Sequence, residues 1–114
     1  MSLLQRLMGR SDIPEVDAEE AKRRQDAGAL VVDVREPDEW AEGHVAGAAH
    51  IPLGQLPGRS KELPSGRELL FICRSGNRSL MAAKQARAAG RDRVANVAGG
   101  TVAWTQRGLP TERG

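Results

Sequence analysis

The sequence predicts an α/β domain, a mostly parallel central sheet flanked by helices on both faces. Three observations predict it. Residues 29–34 and 68–73 are almost unbroken apolar runs, which suits strands covered on both sides rather than strands with one wet face. Segments of helical character alternate with such runs, and most of them end at a glycine. The segment that follows the second run is rich in alanine, as a helix packed close against a sheet requires.

The elements follow in chain order. Asp17 with Glu20 three positions later makes a helix start, and Gly28 a stop, so 17–27 is expected to be helical. Residues 29–34 form the first strong strand. Residues 37–42 make a short helix opened by Pro37 and closed by Gly43. Residues 48–51 form a short strand stopped by Pro52, and 53–59 a helical turn or irregular piece broken by Pro57 and Gly58. The run 68–73 is the second strong strand. It feeds the loop Arg74-Ser75-Gly76-Asn77-Arg78 and a helix reaching Ala89, with Ala82, Ala86 and Ala89 as its small-residue face. A third strand covers 93–97, and a last helix covers 101–107 before Gly108 and Pro110.

A chain of 114 residues is one domain's worth of core. Residues 15–114 are assigned to it and 1–14 to a leader. The leader reads as a frayed terminus, with a short amphipathic turn presenting Leu3, Leu4, Leu7 and Met8 as the alternative. Seventeen basic and fifteen acidic residues leave a net charge of +2, interleaved along the chain, and this implies no nucleic-acid partner. No apolar stretch approaches the roughly 20 residues that span a bilayer, and the first residues lack a secretory pattern, so a soluble cytoplasmic protein is expected. The sequence leaves the oligomeric state open.

One cysteine makes no internal disulfide, and two histidines supply no zinc-ligand set; no metal and no cofactor are expected. Cys73 has either to fill the core or to do chemistry. It stands at the carboxyl end of a predicted central strand, where ligands bind in such folds. Five residues separate it from Ser79, so the chain has to curve back and aim its amides at a common centre, an anion-binding nest on a helix N-terminus. Such amides, with Arg74 and Arg78, lower a thiol pKa from about 8.5 and hold an anion on the sulfur. A buried filler has no reason to be followed by this loop. Gly76 meets the turn's need for positive φ whatever the function.

Asp33-Val34-Arg35-Glu36, the segment Gly43-His44-Val45-Ala46-Gly47-Ala48-Ala49-His50-Ile51-Pro52, the loop Cys73-Arg74-Ser75-Gly76-Asn77-Arg78-Ser79, and Gly99-Gly100-Thr101-Val102-Ala103-Trp104 with Gly108-Leu109-Pro110 resemble, in order, the signatures of single-domain rhodaneses. The resemblance covers about residues 15–110. It implies thiosulfate sulfurtransferase-like activity, with Cys73 as persulfide carrier and Arg74, Ser75, Gly76, Asn77 and Arg78 as substrate cradle. It also implies support of the site by Asp33, with Arg35 beside it; a turn cap at Asp33 and a surface ion pair at Arg35 are the equally open reading. The implied partners are a sulfur donor such as thiosulfate and an acceptor: cyanide, a small thiol, or a thioredoxin-like or sulfur-relay protein. His44 and His50 invite a Cys–His pair, but the resemblance treats their segment as structural. Trp40 and Trp104 are expected to anchor the core.

Two rivals remain. A cysteine phosphatase also uses a cysteine on an amide-lined loop ending in arginine, but by resemblance that family places five residues between them, and this chain has four. A non-catalytic carrier or regulatory module on the same fold is the other.

Overall fold

The computed structural model describes residues 13–114, and the predicted leader turn lies outside the described residues. Seven strands and five α-helices follow in the order β1 (Glu15–Val16), α1 (Ala18–Asp26), β2 (Leu30–Asp33), α2 (Pro37–Glu42), β3 (His44–Val45), β4 (Ala49–His50), α3 (Leu56–Arg59), β5 (Leu69–Ile72), α4 (Asn77–Ala88), β6 (Val94–Val97), α5 (Gly100–Gln106) and β7 (Thr111–Glu112) among the described residues. The central sheet runs β1-β6-β5-β2-β4, and every pairing in it is parallel. β5 pairs with β2 from Leu30↔Leu69 to Asp33↔Ile72 and with β6 from Leu69↔Val94 to Phe71↔Asn96, so it has a neighbour on each edge.

Side-chain alternation along β5 divides the core into two layers. Leu69, Phe71 and Cys73 face Ala82, Ala83 and Ala86 of α4 with Leu56 of α3. Leu70 and Ile72 face the opposite way, toward Ala18 and Ala21 of α1 and Trp104 of α5. Both faces of the sheet are thus covered, which is why its strands are apolar on both sides.

Local chemistry sets the boundaries. The Asp17 carboxylate accepts from the Glu20 amide at 2.8 Å and starts α1. Pro37 and Pro57 both sit in first turns, where a missing N–H costs nothing. Pro57 and Gly58 therefore lie inside α3 instead of breaking the segment. The small-residue face of α4 is Ala82, Ala83 and Ala86, whereas Ala89 is exposed beyond its end. β1 and the antiparallel pair β3–β7 are additional to the sequence reading; two-residue strands carry no periodicity to read.

Candidate active site

Cys73 follows directly on β5, with its side chain turned to the α4 face and only 1% exposed. The chain then bends through Gly76, whose φ of 115° lies in the left-handed region that glycine tolerates, and enters α4. The bend brings the Gly76 N–H to 3.1 Å from Cys73 Sγ, and the Ser79 hydroxyl stands 3.3 Å from the same sulfur. Burial pushes the thiol pKa up; hydrogen bonds from Ser79 and from the Gly76 and Ser75 amides outweigh it and leave Cys73 below the ordinary cysteine value.

The loop is held from behind by α5. The Thr101 amide donates to the Cys73 carbonyl at 2.8 Å and the Val102 amide to that of Arg74 at 3.3 Å. This approach depends on Gly100, where a Cβ would stand 2.3 Å from the Cys73 oxygen. The Gly99-Gly100-Thr101 segment, quoted for its resemblance alone, thus has a physical task.

The loop side chains divide. Arg74, Ser75 and Asn77 are exposed, and Gly76 is buried. The Arg74 side chain lines an open cavity of 570 Å³, and its guanidinium has no hydrogen-bond or ion-pair partner among the described residues. Arg35 and Arg113 line the same cavity, facing Glu39, Glu42 and Glu112. Cys73 is not on its wall. Arg78 turns instead to Glu39 of α2, with Nη1–Oε1 2.7 Å and Nη2–Oε2 3.0 Å. That fork holds the Glu39 carboxyl down at about 2.

Asp33 and Arg35 close on each other. The Asp33 carboxylate, wholly buried, accepts from the Arg35 amide at 2.9 Å and from its Nη2 at 2.8 Å, and Nη2 also donates to the Gly43 carbonyl at 2.7 Å. Asp33 therefore caps the turn as one reading had it, but the ion pair of Arg35 is buried, not at the surface. Neither side chain bonds to the 73–78 loop; both stand beside it, because Asp33 is paired in register with Ile72.

His44 and His50 do not engage Cys73. Both rings stack on Trp40, with centroids 3.4 and 4.5 Å away, and their nitrogens bond the Trp40 and Arg35 carbonyls. Trp40 is half-buried on a helix with no buried residue, so it clamps two histidines where a core anchor was expected. Trp104, 1% exposed, packs in the core and donates from Nε1 to the Pro110 carbonyl at 2.9 Å. Sequence reasoning passed over two polar contributors, Glu39 and Asn96. The second carried a signal, an amide among Val94, Ala95 and Val97 in a strand buried throughout.

A parallel α/β sandwich with one cysteine on a donor-lined strand-to-helix loop defines a domain for thiolate chemistry. The chain belongs to the rhodanese-like domain family, whose model matches residues 17–107. It is 37% identical over 100 residues to a sulfurtransferase of Allochromatium vinosum, covering 86% of this chain and 94% of that one. It is 40% identical over 97 residues to YrkF of Bacillus subtilis, named as a sulfur carrier protein, spanning 83% of this chain but only 52% of that one. Among solved structures, a rhodanese-related protein from Thermoplasma volcanium superposes with a TM-score of 0.81 at 29% identity, over 87% of this chain and 97% of that one. Sulfur transfer is what the matched relatives of this family are named for.

Proposed function

We propose that the protein moves a sulfane sulfur from thiosulfate or a related donor to a thiol, cyanide or protein acceptor, with Cys73 as the persulfide carrier. The observation that carries this reading is the sulfur of the one cysteine in the chain lying 3.1 Å from the Gly76 amide in a loop that lowers its pKa. The Cys73 thiolate attacks the sulfane sulfur of thiosulfate, the donor's S–S bond breaks, and sulfite leaves with the electron pair. The product, Cys–S–S⁻, carries its charge on the outer sulfur, where loop amides and Arg74 stabilise it. With no second cysteine to form an internal disulfide, an external nucleophile attacks the outer sulfur and the Cys73 thiolate departs. Cys73 is 1% exposed as a residue, so the donor has to bring its sulfur into the loop to reach it. Arg74, Ser75 and Asn77, exposed on that loop, are the donor's first contacts, and Asp33 with Arg35 stiffens the neighbouring turn.

The phosphatase reading fares worse, because the arginine that would bind phosphoryl oxygens is already forked onto Glu39. The carrier reading shares the first half-reaction and differs in acceptor alone. The cytoplasm, where small thiols and thioredoxin-like proteins supply acceptors, is the compartment proposed. A steady-state assay separates the readings. Thiocyanate forming from thiosulfate and cyanide, with no cleavage of an aryl phosphate, supports sulfur transfer; the reverse pattern refutes it.

A further inference from the structure

The Ser79 hydroxyl, fully buried, stands between two acceptors. Its oxygen lies 3.3 Å from Cys73 Sγ and 2.6 Å from Asn96 Oδ1. A hydroxyl has one proton and serves one of them at a time. Asn96 decides which. Its Nδ2 donates to the Gly76 carbonyl at 3.0 Å and to Glu15 Oε2 at 2.9 Å, and both of those groups only accept. A flipped amide would press its oxygen against two other oxygens, so Oδ1 is fixed toward Ser79 and takes the proton at the shorter distance.

We infer that Asn96 is a positioning residue that holds the Ser79 proton away from Cys73 and thereby favours the sulfur-loaded state over the free thiolate. In the thiol form no conflict exists, since S–H donates to Ser79 and Ser79 donates to Asn96. In the thiolate form Sγ meets a Ser79 lone pair. The hydroxyl then either leaves Asn96, stranding a buried carbonyl, or stays and leaves the thiolate to the amides of Ser75, Gly76 and Ser79. In the persulfide the charge has moved to the outer sulfur, Sγ is neutral, and Ser79 stays with Asn96. The charged groups around this relay are Glu15 on β1, Arg78 with Glu39 above the loop, and the closed Asp33–Arg35 pair on β2. The preference for the loaded state rests on the sulfur-transfer reading, whereas the proton arrangement does not.

The experiment reads the Cys73 pKa from the pH dependence of alkylation by iodoacetamide, which needs no sulfur chemistry. Asn96→Leu, by freeing the Ser79 proton for the thiolate, should lower that pKa by about one unit. In a Ser79→Ala background the same substitution should do nothing. Glu15 is exposed, so Glu15→Ala spares the core; it should give a smaller fall, the part lost in the Ser79→Ala background belonging to the relay and the remainder to the missing charge. If Asn96→Leu does not fold, the Glu15 cycle decides alone. Sulfite titration of the loaded protein adds the functional arm: Asn96→Leu should unload at lower sulfite than the parent. An unchanged or raised pKa in Asn96→Leu, or an equal fall with and without the Ser79 hydroxyl, overturns the inference. Failure of the parent to load sulfur at all overturns the proposed function and leaves the alkylation result standing.

Discussion

Two turns leave adjacent strands at the same end of the sheet, and they are built on opposite plans. The turn after β2 carries a full negative and a full positive charge, yet the Asp33 carboxylate and the Arg35 guanidinium are committed to each other and to Gly43. The turn after β5 carries one buried thiol, and it gathers donors that exceed what a neutral thiol needs. Gly76 and Ser79 face the sulfur, and the Arg74 guanidinium lines the cavity without a partner among the described residues. The first turn is neutralised from within. The second keeps donors turned on a buried thiol, and that difference marks which of the two can hold a reacting group.

The contrast is sharpest in stability. Arg35→Ala should leave the Asp33 carboxylate buried without its countercharge and cost about 3 to 5 kcal/mol in denaturant unfolding. Arg74→Ala, at an exposed site, should change stability by less than about 0.5 kcal/mol. Equal losses in the two variants would erase the distinction between the turns.

Geometry comes next. One glycine inserted beside Gly76 should misplace the amides by about 1 Å or more and slow sulfur loading about a hundredfold. The same insertion after Pro64, remote from Cys73, should leave it unchanged. Stopped-flow loading by thiosulfate reads both, and a lengthened loop that loads at the parental rate would show that amide placement is not what the sulfur uses.

The charges give the smallest effects. Arg74→Ala should slow thiosulfate loading about tenfold, as expected for one charge acting at close range. Arg78→Ala should do less, because the Arg78 guanidinium already faces Glu39. The Glu39 carboxyl, ordinarily near 4.5, is held at about 2; this pair contributes stability fully above the ordinary value and loses it as pH falls toward 2. The acid limb of unfolding should therefore shift to higher pH in Arg78→Ala.

What was legible in the sequence follows the same division. The strong strands and the loop on Cys73 could be read because their signals are local: apolar runs, glycine stops, a cysteine beside Gly76. The fork between Arg78 and Glu39 joins residues 39 positions apart, and Asn96 reaches Glu15 across 81. No window along the chain contains either pair. Trp40 was misjudged for a related reason, since aromatic size suggests burial but helix α2 lies outside both core layers and gives it two histidine rings instead.

The most direct test of the central claim is the intact mass of the protein after thiosulfate, followed by cyanide. The account predicts a single added sulfur per chain, located on the Cys73 peptide, absent in Cys73→Ser, and released by cyanide as an equal amount of thiocyanate. A parent protein that stays unloaded with thiosulfate and with polysulfide, or a Cys73→Ser variant that still takes up sulfur, would contradict it.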